Sequence, residues 1–251
     1  MGRAFEFRKA RKMKRWSKMA KTFTRIGKDI VIAVKEGGPD PETNSRLRQI
    51  IQNAKSANMP KENVLRAIKK ASSKDTENYE EIFLEGYASN GIAVFIECAT
   101  NNNNRTVADV RSYFNKCDGA LGTNGSLEYI FSRKGVFTIE SSKTNLDHDE
   151  LEMDLIDAGL EEFDVDKGSI TIYCDYLDFN KMQLKLDVLN IEVQKSELQR
   201  IPNNFKTLNA KEAEKVIKLL DLLEENDDVQ QVFHNMNLTE EILIEMENNK
   251  L

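Results

Sequence analysis

Around residues 72–75 the apolar pattern changes its period, and that change limits what this chain can fold into more than any single motif. Upstream, Phe23, Ile26, Ile30 and Ala33 recur at helical spacing, as do Leu47, Ile50, Ile51 and Ala54. Val64, Leu65, Ile68 and Ala71 mark a third helix beginning near Met59 and Pro60. Downstream the spacing shortens to that of strands, beginning with residues 82–87 and 92–98 around Asn90-Gly91, a strong hairpin signal. An all-helical head is therefore followed by mixed α/β structure.

The sign of the charge changes at the same place. Residues 1–74 hold 20 Lys and Arg against 6 Asp and Glu, a net of +14, so a chain of net charge −6 leaves −20 for the remainder. The densest basic run is Arg3, Arg8, Lys9, Arg11, Lys12, Lys14, Arg15 and Lys18, continued by a stripe of Lys21, Arg25 and Lys28 and by Arg46, Arg48, Arg66, Lys69 and Lys70. Clustered cations of this kind attract phosphate backbones and release their counterions. A polyanion would repel the acidic body, which confines contact to one end. A merely solvated charged face is the plainer reading. Trp16, within the run, suits either stacking on a base or anchoring the first helix.

Turn residues place the other boundaries. Gly37 and Gly38 end the first long helix, and Asp40, Pro41 and Glu42 read as the cap, first position and first-turn acid of the next. A helix carrying Val107, Val110, Phe114 and Cys117 takes Thr106 and Asp109 as its cap, and residues 126–132 read as a strand. Residues 135–200 then run in the order βαββαβ: strand 136–140, a helix capped by Asp147 and Glu150 and stopped by Gly159, strands 162–165 and 169–174, a helix through Phe179, Met182, Leu186 and Leu189, and a strand opening at 191–193. That order is ferredoxin-like. After Pro202, Asn209 and Glu212 cap a helix, and residues 229–234 form a strand that returns to the earlier sheet. The expected fold is α+β: a three-helix bundle (1–76), a two-layer α/β domain (77–133 plus 205–237), an inserted ferredoxin-like α/β domain (134–204) and an acidic tail (238–251).

Chemistry is sparse. His148 and His234 have no spaced ligands, and Cys98, Cys117 and Cys174 form neither a disulfide framework nor a CxxC site. Acidic pairs such as Glu161-Glu162 and Asp227-Asp228 lie at expected turns and read as solvated carboxylates. No metal, no cofactor and no enzyme activity are expected. Neither a long apolar run nor a secretory leader pattern is visible, so no membrane is expected, and the cysteine usage suits the cytoplasm. Gly119, Gly122 and Gly125 lie in a glycine-rich loop matching no nucleotide-binding pattern, so an elaborate turn is preferred to a phosphate cradle. Asn103, Asn104, Arg105 and Thr106 close a strand just before a helix, an edge where function often sits on a rigid scaffold. With the three glycines they make a candidate second contact.

Taken together, certain stretches resemble the YebC/PmpR family, which includes the mitochondrial translational activator of cytochrome c oxidase. They are Lys18, Lys21-Thr22-Phe23, Gly37-Gly38-Pro39-Asp40-Pro41, Asn44, Leu47-Arg48, Asn58-Met59-Pro60-Lys61, Asn63, Arg66-Ala67-Ile68-Lys69-Lys70 and Tyr79-Glu80-Glu81, followed by Glu85-Gly86-Tyr87, Asn103-Asn104-Arg105-Thr106, Gly119, Leu121-Gly122 and Gly125-Ser126. The family's usual Gly-His-Ser-Lys-Trp start is replaced here by Gly2-Arg3-Ala4-Phe5-Glu6-Phe7, and its His-Gly before Gly119 by Cys117-Asp118. The resemblance implies a basic bundle, a second α/β domain with a ferredoxin-like insertion, and a cytoplasmic, non-enzymatic regulator of gene expression. Members are described as DNA-binding transcriptional regulators and as ribosome-associated factors acting where synthesis stalls on proline runs. Expected partners are thus DNA or ribosomal RNA, with the ribosome and tRNA as further candidates. Charge placement alone does not separate DNA from RNA.

Overall fold

The computed structural model describes residues 3–73, 77–143, 147–166, 168–239 and 242; the side chains of residues 3–18 and of residue 143 lie outside the description. The chain divides into two compact units. One takes the chain through Phe83 with Ile96–Tyr113 and Leu220–Val232; the other takes Leu84–Phe95, Phe114–Leu219 and the chain from Phe233 onward.

In the first unit, α1 (Arg3–Gly37), α2 (Ser45–Ser56) and α3 (Lys61–Ala71) form the expected bundle, with Ile30, Leu47 and Ala54 fully enclosed, but Leu65 of the expected α3 stripe is 55% exposed because it lies on the side of the helix away from Val64 and Ala71. Gly38, at φ +86, closes α1 by returning its N–H to the Val34 carbonyl, a left-handed cap that favours glycine. The next cap is not Asp40. The Asp40 carboxylate accepts from the Glu42 N–H, and its carbonyl accepts from Thr43 and Asn44, forming a turn. Asn44 caps α2 instead, accepting from the Leu47 N–H at 3.0 Å while its amide donates to the carbonyls of Ala33 and Gly38. Asn44 wins because it is buried, where its amide also satisfies the carbonyls of Ala33 in α1 and of Gly38 just beyond it.

Strands β1 (Glu80–Tyr87) and β2 (Ala93–Thr100) are joined through Asn90 and Gly91, both at positive φ as the sequence signal requires. The helix α4 (Asn103–Lys116) starts earlier than expected. Asn102 accepts from the Arg105 N–H, so Thr106 lies inside the helix rather than capping it. The two-residue strand β3 (Ala120–Leu121) pairs with Gly86 and Tyr87 and has no periodic signature. Residues 126–130 form successive turns, not a strand, and β4 begins at Phe131 (Phe131–Glu140).

From β4 the series continues through α5 (His148–Ile156), β5 (Leu160–Asp166), β6 (Ser169–Asp175), α6 (Phe179–Val188) and β7 (Val193–Pro202). The sheet order β5-β6-β4-β7, antiparallel throughout, is that of the ferredoxin-like fold. Strand β6 alternates between buried and half-buried positions, and Ile170, Ile172 and Cys174 meet Phe137, Leu151, Leu155, Met182 and Leu186 in a closed core. The helix α7 (Ala210–Glu225) opens with a reciprocal cap in which Asn209 and Glu212 each bond the other's N–H. Strand β8 (Val229–His234) joins the first sheet beside β2, in the order β3-β1-β2-β8.

Candidate nucleic-acid interface

The basic stripe of α1 splits by depth. Arg3, Arg8, Lys9, Arg11, Lys12, Lys14, Arg15, Lys18 and Trp16 have their side chains outside the described residues. Lys21 and Arg25 donate to the carbonyls of Glu225 and Glu224 at 3.3 and 2.8 Å. Those are terminal carbonyls of α7, where a helix dipole favours cations. Lys28 turns inward: 8% exposed, it donates to the carbonyls of Ala99 and Asp227 and to the Asp228 carboxylate at 2.7 Å.

Asp228 is the hub of a buried polar cluster that sequence reading missed. One carboxylate oxygen takes Lys28; the other takes Arg105 at 2.7 Å, the Thr106 hydroxyl at 2.8 Å and the Thr100 hydroxyl at 3.1 Å. Burial by itself would raise its pKa, but hydrogen bonds from Lys28, Arg105 and Thr106 prevail and bring it down to about 2. The expected solvated pair Asp227-Asp228 is therefore corrected at its second member, which stays buried because four donors compensate it. Arg105 is half exposed, tied to Asp228 by one nitrogen that also reaches the Asn101 side chain at 3.0 Å. Thr106 is buried, and Asn103 bonds Glu80 while Asn104 stays exposed.

Elsewhere in the bundle, Arg46 bridges Glu36 and Glu81. Burial disfavours its charge, yet the hydrogen bonds to Glu81 and Glu36 raise its pKa overall. Its charge is thus offset by two neighbouring carboxylates at the surface. Arg48 on α2 and Arg66, Lys69 and Lys70 on α3 are exposed, as are Lys55 and Lys61. These carry the positive surface of the described bundle.

The glycine-rich loop is already filled. Glu85, buried on β1, accepts from the N–H groups of Gly125 and Leu127 at 2.9 and 2.7 Å and from the Ser126 hydroxyl at 3.3 Å. The Gly122 N–H goes to the Glu85 carbonyl and the Gly119 N–H to the Phe114 carbonyl. A protein carboxylate occupies the place a phosphate would take, which supports the turn reading. Among the described residues no cluster of His, Cys, Asp or Glu suits a metal, and no helix is long and apolar enough to cross a membrane. Cys98, Cys117 and Cys174 are buried free thiols; burial pushes Cys98 and Cys174 up to about 12.

Comparison with known proteins identifies the lineage. Residues 3–74 match the TACO1/YebC protein N-terminal domain, and residues 79–236 match the TACO1/YebC second and third domain. The chain belongs to the TACO1/YebC family. It is 58% identical over 236 residues to a probable transcriptional regulatory protein of Flavobacterium johnsoniae, covering 94% of this chain and 99% of that one. A Porphyromonas gingivalis member of the same name is 54% identical, covering 94% and 97%. The crystal structure of a conserved hypothetical protein from Aquifex aeolicus superposes with a TM-score of 0.77 at 39% identity, covering 89% of this chain and 92% of that one. The TACO1/YebC match therefore spans the basic bundle as well as both sheets.

Proposed function

We propose that this chain is a non-enzymatic, nucleic-acid-binding regulator of gene expression that acts in the cytoplasm and grips phosphates through residues 1–74. The separation of exposed from spent cations carries the reading. Lys28 is consumed by the buried Asp228 carboxylate and Arg46 is paired with Glu36 and Glu81, whereas Arg48, Arg66 and Lys69 face solvent, and the sequence adds a run of eight further cations between Arg3 and Lys18. The same reading divides the chain into a basic bundle (1–76), a two-layer domain (77–133 plus 205–237), an inserted ferredoxin-like domain (134–204) and an acidic tail. The name borne by the relatives supports duplex DNA as the target.

The net −20 of residues 75–251 favours a second reading, binding to ribosomal RNA in translation. A long duplex lying along such a body meets like charge, whereas an RNA-lined cleft need touch only the head. The candidate second contact around Asn103, Asn104 and Arg105, with the buried Thr106 left to support it from within, would then meet the ribosome or tRNA through shaped recognition.

Neutralising Arg48, Arg66, Lys69 and Lys70 to Gln should weaken binding and lower the log–log salt slope by roughly 0.7–0.9 for each phosphate that is no longer neutralised. Unchanged affinity and slope for both DNA and RNA would end the basic-head reading. Selection of one duplex sequence, with no co-sedimentation with ribosomes at physiological salt, would leave the transcriptional reading alone standing.

A further inference from the structure

We infer that the outer face of α5 and α6 is a docking surface for a basic, amphipathic helix of a partner protein. This goes beyond the nucleic-acid reading and does not depend on it. Both helices turn an inner stripe into the core of the ferredoxin-like series, Leu151 and Leu155 from α5 and Met182 and Leu186 from α6. Each also carries apolar residues outside. Met153 is 73% and Ile156 61% exposed on α5, and Leu184 is 64% and Val188 75% exposed on α6. At 3.6 residues per turn, Met153 stands about 180° around the axis from the middle of the Leu151 and Leu155 stripe, as Leu184 does from Met182 and Leu186. A helix apolar on two faces is suited to being covered on both.

The four outer residues gather around one seam. The two helices lie side by side, and Lys185 of α6 reaches Asp154 of α5 at 3.4 Å. Met153 and Leu184 directly precede the two members of that bridge, so they flank the same seam. Ile156 and Val188 follow one turn further along their own helices, at the i+3 and i+4 positions that share a face. Packed helices stand about 8–10 Å apart, which makes the patch one helix wide. Single apolar residues occur on any surface, whereas four around one seam mark an interaction site. A third helix laid along the seam meets them with anchors at the same i, i+3 and i+4 intervals.

Charge decides the occupant. On α5, Asp149, Glu150 and Glu152 are exposed and there is no Lys or Arg. On α6, Lys185 is engaged by Asp154, which leaves one exposed lysine, Lys181, against one exposed acid, Asp187. Residues 134–204 as a whole hold seven Lys and Arg against sixteen Asp and Glu, a net of −9. Such a rim repels nucleic acid and a second copy of the same face alike. It attracts a helix whose apolar stripe is flanked by Lys or Arg.

The test measures fluorescence anisotropy of two labelled helical peptides with the full chain across a salt series. One is built of Leu and Lys, the other of Leu and Glu, with leucines at the same helical spacing in both. The lysine peptide should bind saturably and the glutamate peptide should not. Met153→Gln with Leu184→Gln, at exposed positions that should leave the thermal melt unchanged, should weaken lysine-peptide binding about tenfold or more. Glu150→Gln with Glu152→Gln should weaken it and flatten its salt dependence. Both pairs should leave duplex DNA affinity as it was, so the basic head is judged separately. The proposal falls if the Met153 and Leu184 variant binds the lysine peptide as the wild type does, if the two peptides bind alike, or if neither binds. Sedimentation velocity that finds dimers of the wild type but monomers of the same variant would give the face to a second copy and overturn the choice of partner.

Discussion

Asp228→Ala should strongly destabilise the first unit. Lys28 is 8% exposed and lies 2.7 Å from the carboxylate, so losing it strands an ammonium in the interior. Breaking a buried pair from one side costs about 3–5 kcal/mol. For a protein of this size that is a fall of roughly 6–20 °C in the melting transition. Arg105 contributes little to the loss, because its half-exposed side chain can turn to water. Lys28→Met alone should cost less, since Arg105, Thr106 and Thr100 still serve the carboxylate. The double variant should cost less than the sum of the two by about 0.5–3 kcal/mol, the range for residues in one network. Thermal and urea melts followed by circular dichroism give all four corners of the cycle. Strict additivity, or a loss below about 1 kcal/mol for Asp228→Ala, would show that the cluster does not act as a charge-compensated unit.

Acid should weaken the same cluster. The unfolded chain protonates Asp228 near 3.8 and the folded chain only near 2, so its stabilisation, about 2 kcal/mol, is complete above both values and drains away as the pH falls through this window; Asp228→Asn should remove that part of the acid transition in pH-dependent melts. Asp29 should act in the opposite direction, because burial, with Glu81 and Glu97 against Arg46, raises it to about 7. The folded state then holds a proton the unfolded chain has lost, stability falls between about pH 4 and 7, and Asp29→Asn should abolish that slope. Glu85→Ala should cost about 2–4 kcal/mol by orphaning the N–H groups of Gly125 and Leu127, whose amide exchange should accelerate before that of the ferredoxin-like core. Gly86→Ala would set a methyl 2.7 Å from the Ala120 carbonyl and the Phe114 ring, a clash worth about 1–3 kcal/mol in denaturant melts.

Most of the α/β architecture was legible because its elements are long and periodic. Leu151 and Leu155 of α5, Ile170, Ile172 and Cys174 of β6, and Met182 and Leu186 of α6 point into one core, and the chain order alone names the ferredoxin-like topology. What sequence reading missed is local competition and distance. Asp40 and Asn44 are both good caps, and only burial against Ala33 decides between them. Glu85 lies between Phe83 and Tyr87, so alternation groups it with an exposed face, whereas the loop from residue 122 folds over its carboxylate. At the candidate interface the sequence showed where cations are dense, but not which are spent. Nothing near Lys28 announces a carboxylate 200 positions away, and nothing near Asp228 distinguishes it from the solvated acids around it.

That separation has a consequence for biosynthesis. Lys28 is translated early and Asp228 near the end, with 200 residues between them. At about 5–20 residues per second the nascent lysine waits roughly 10–40 s for its counter-charge. Until then the pocket under α1 can close only over an uncompensated ammonium, so the final dehydration of the bundle waits for β8. A message cut short before codon 228 would yield a head that carries its full positive charge but lacks the anion that locks Lys28 in place. Closure of the bundle core is thus tied to one late carboxylate.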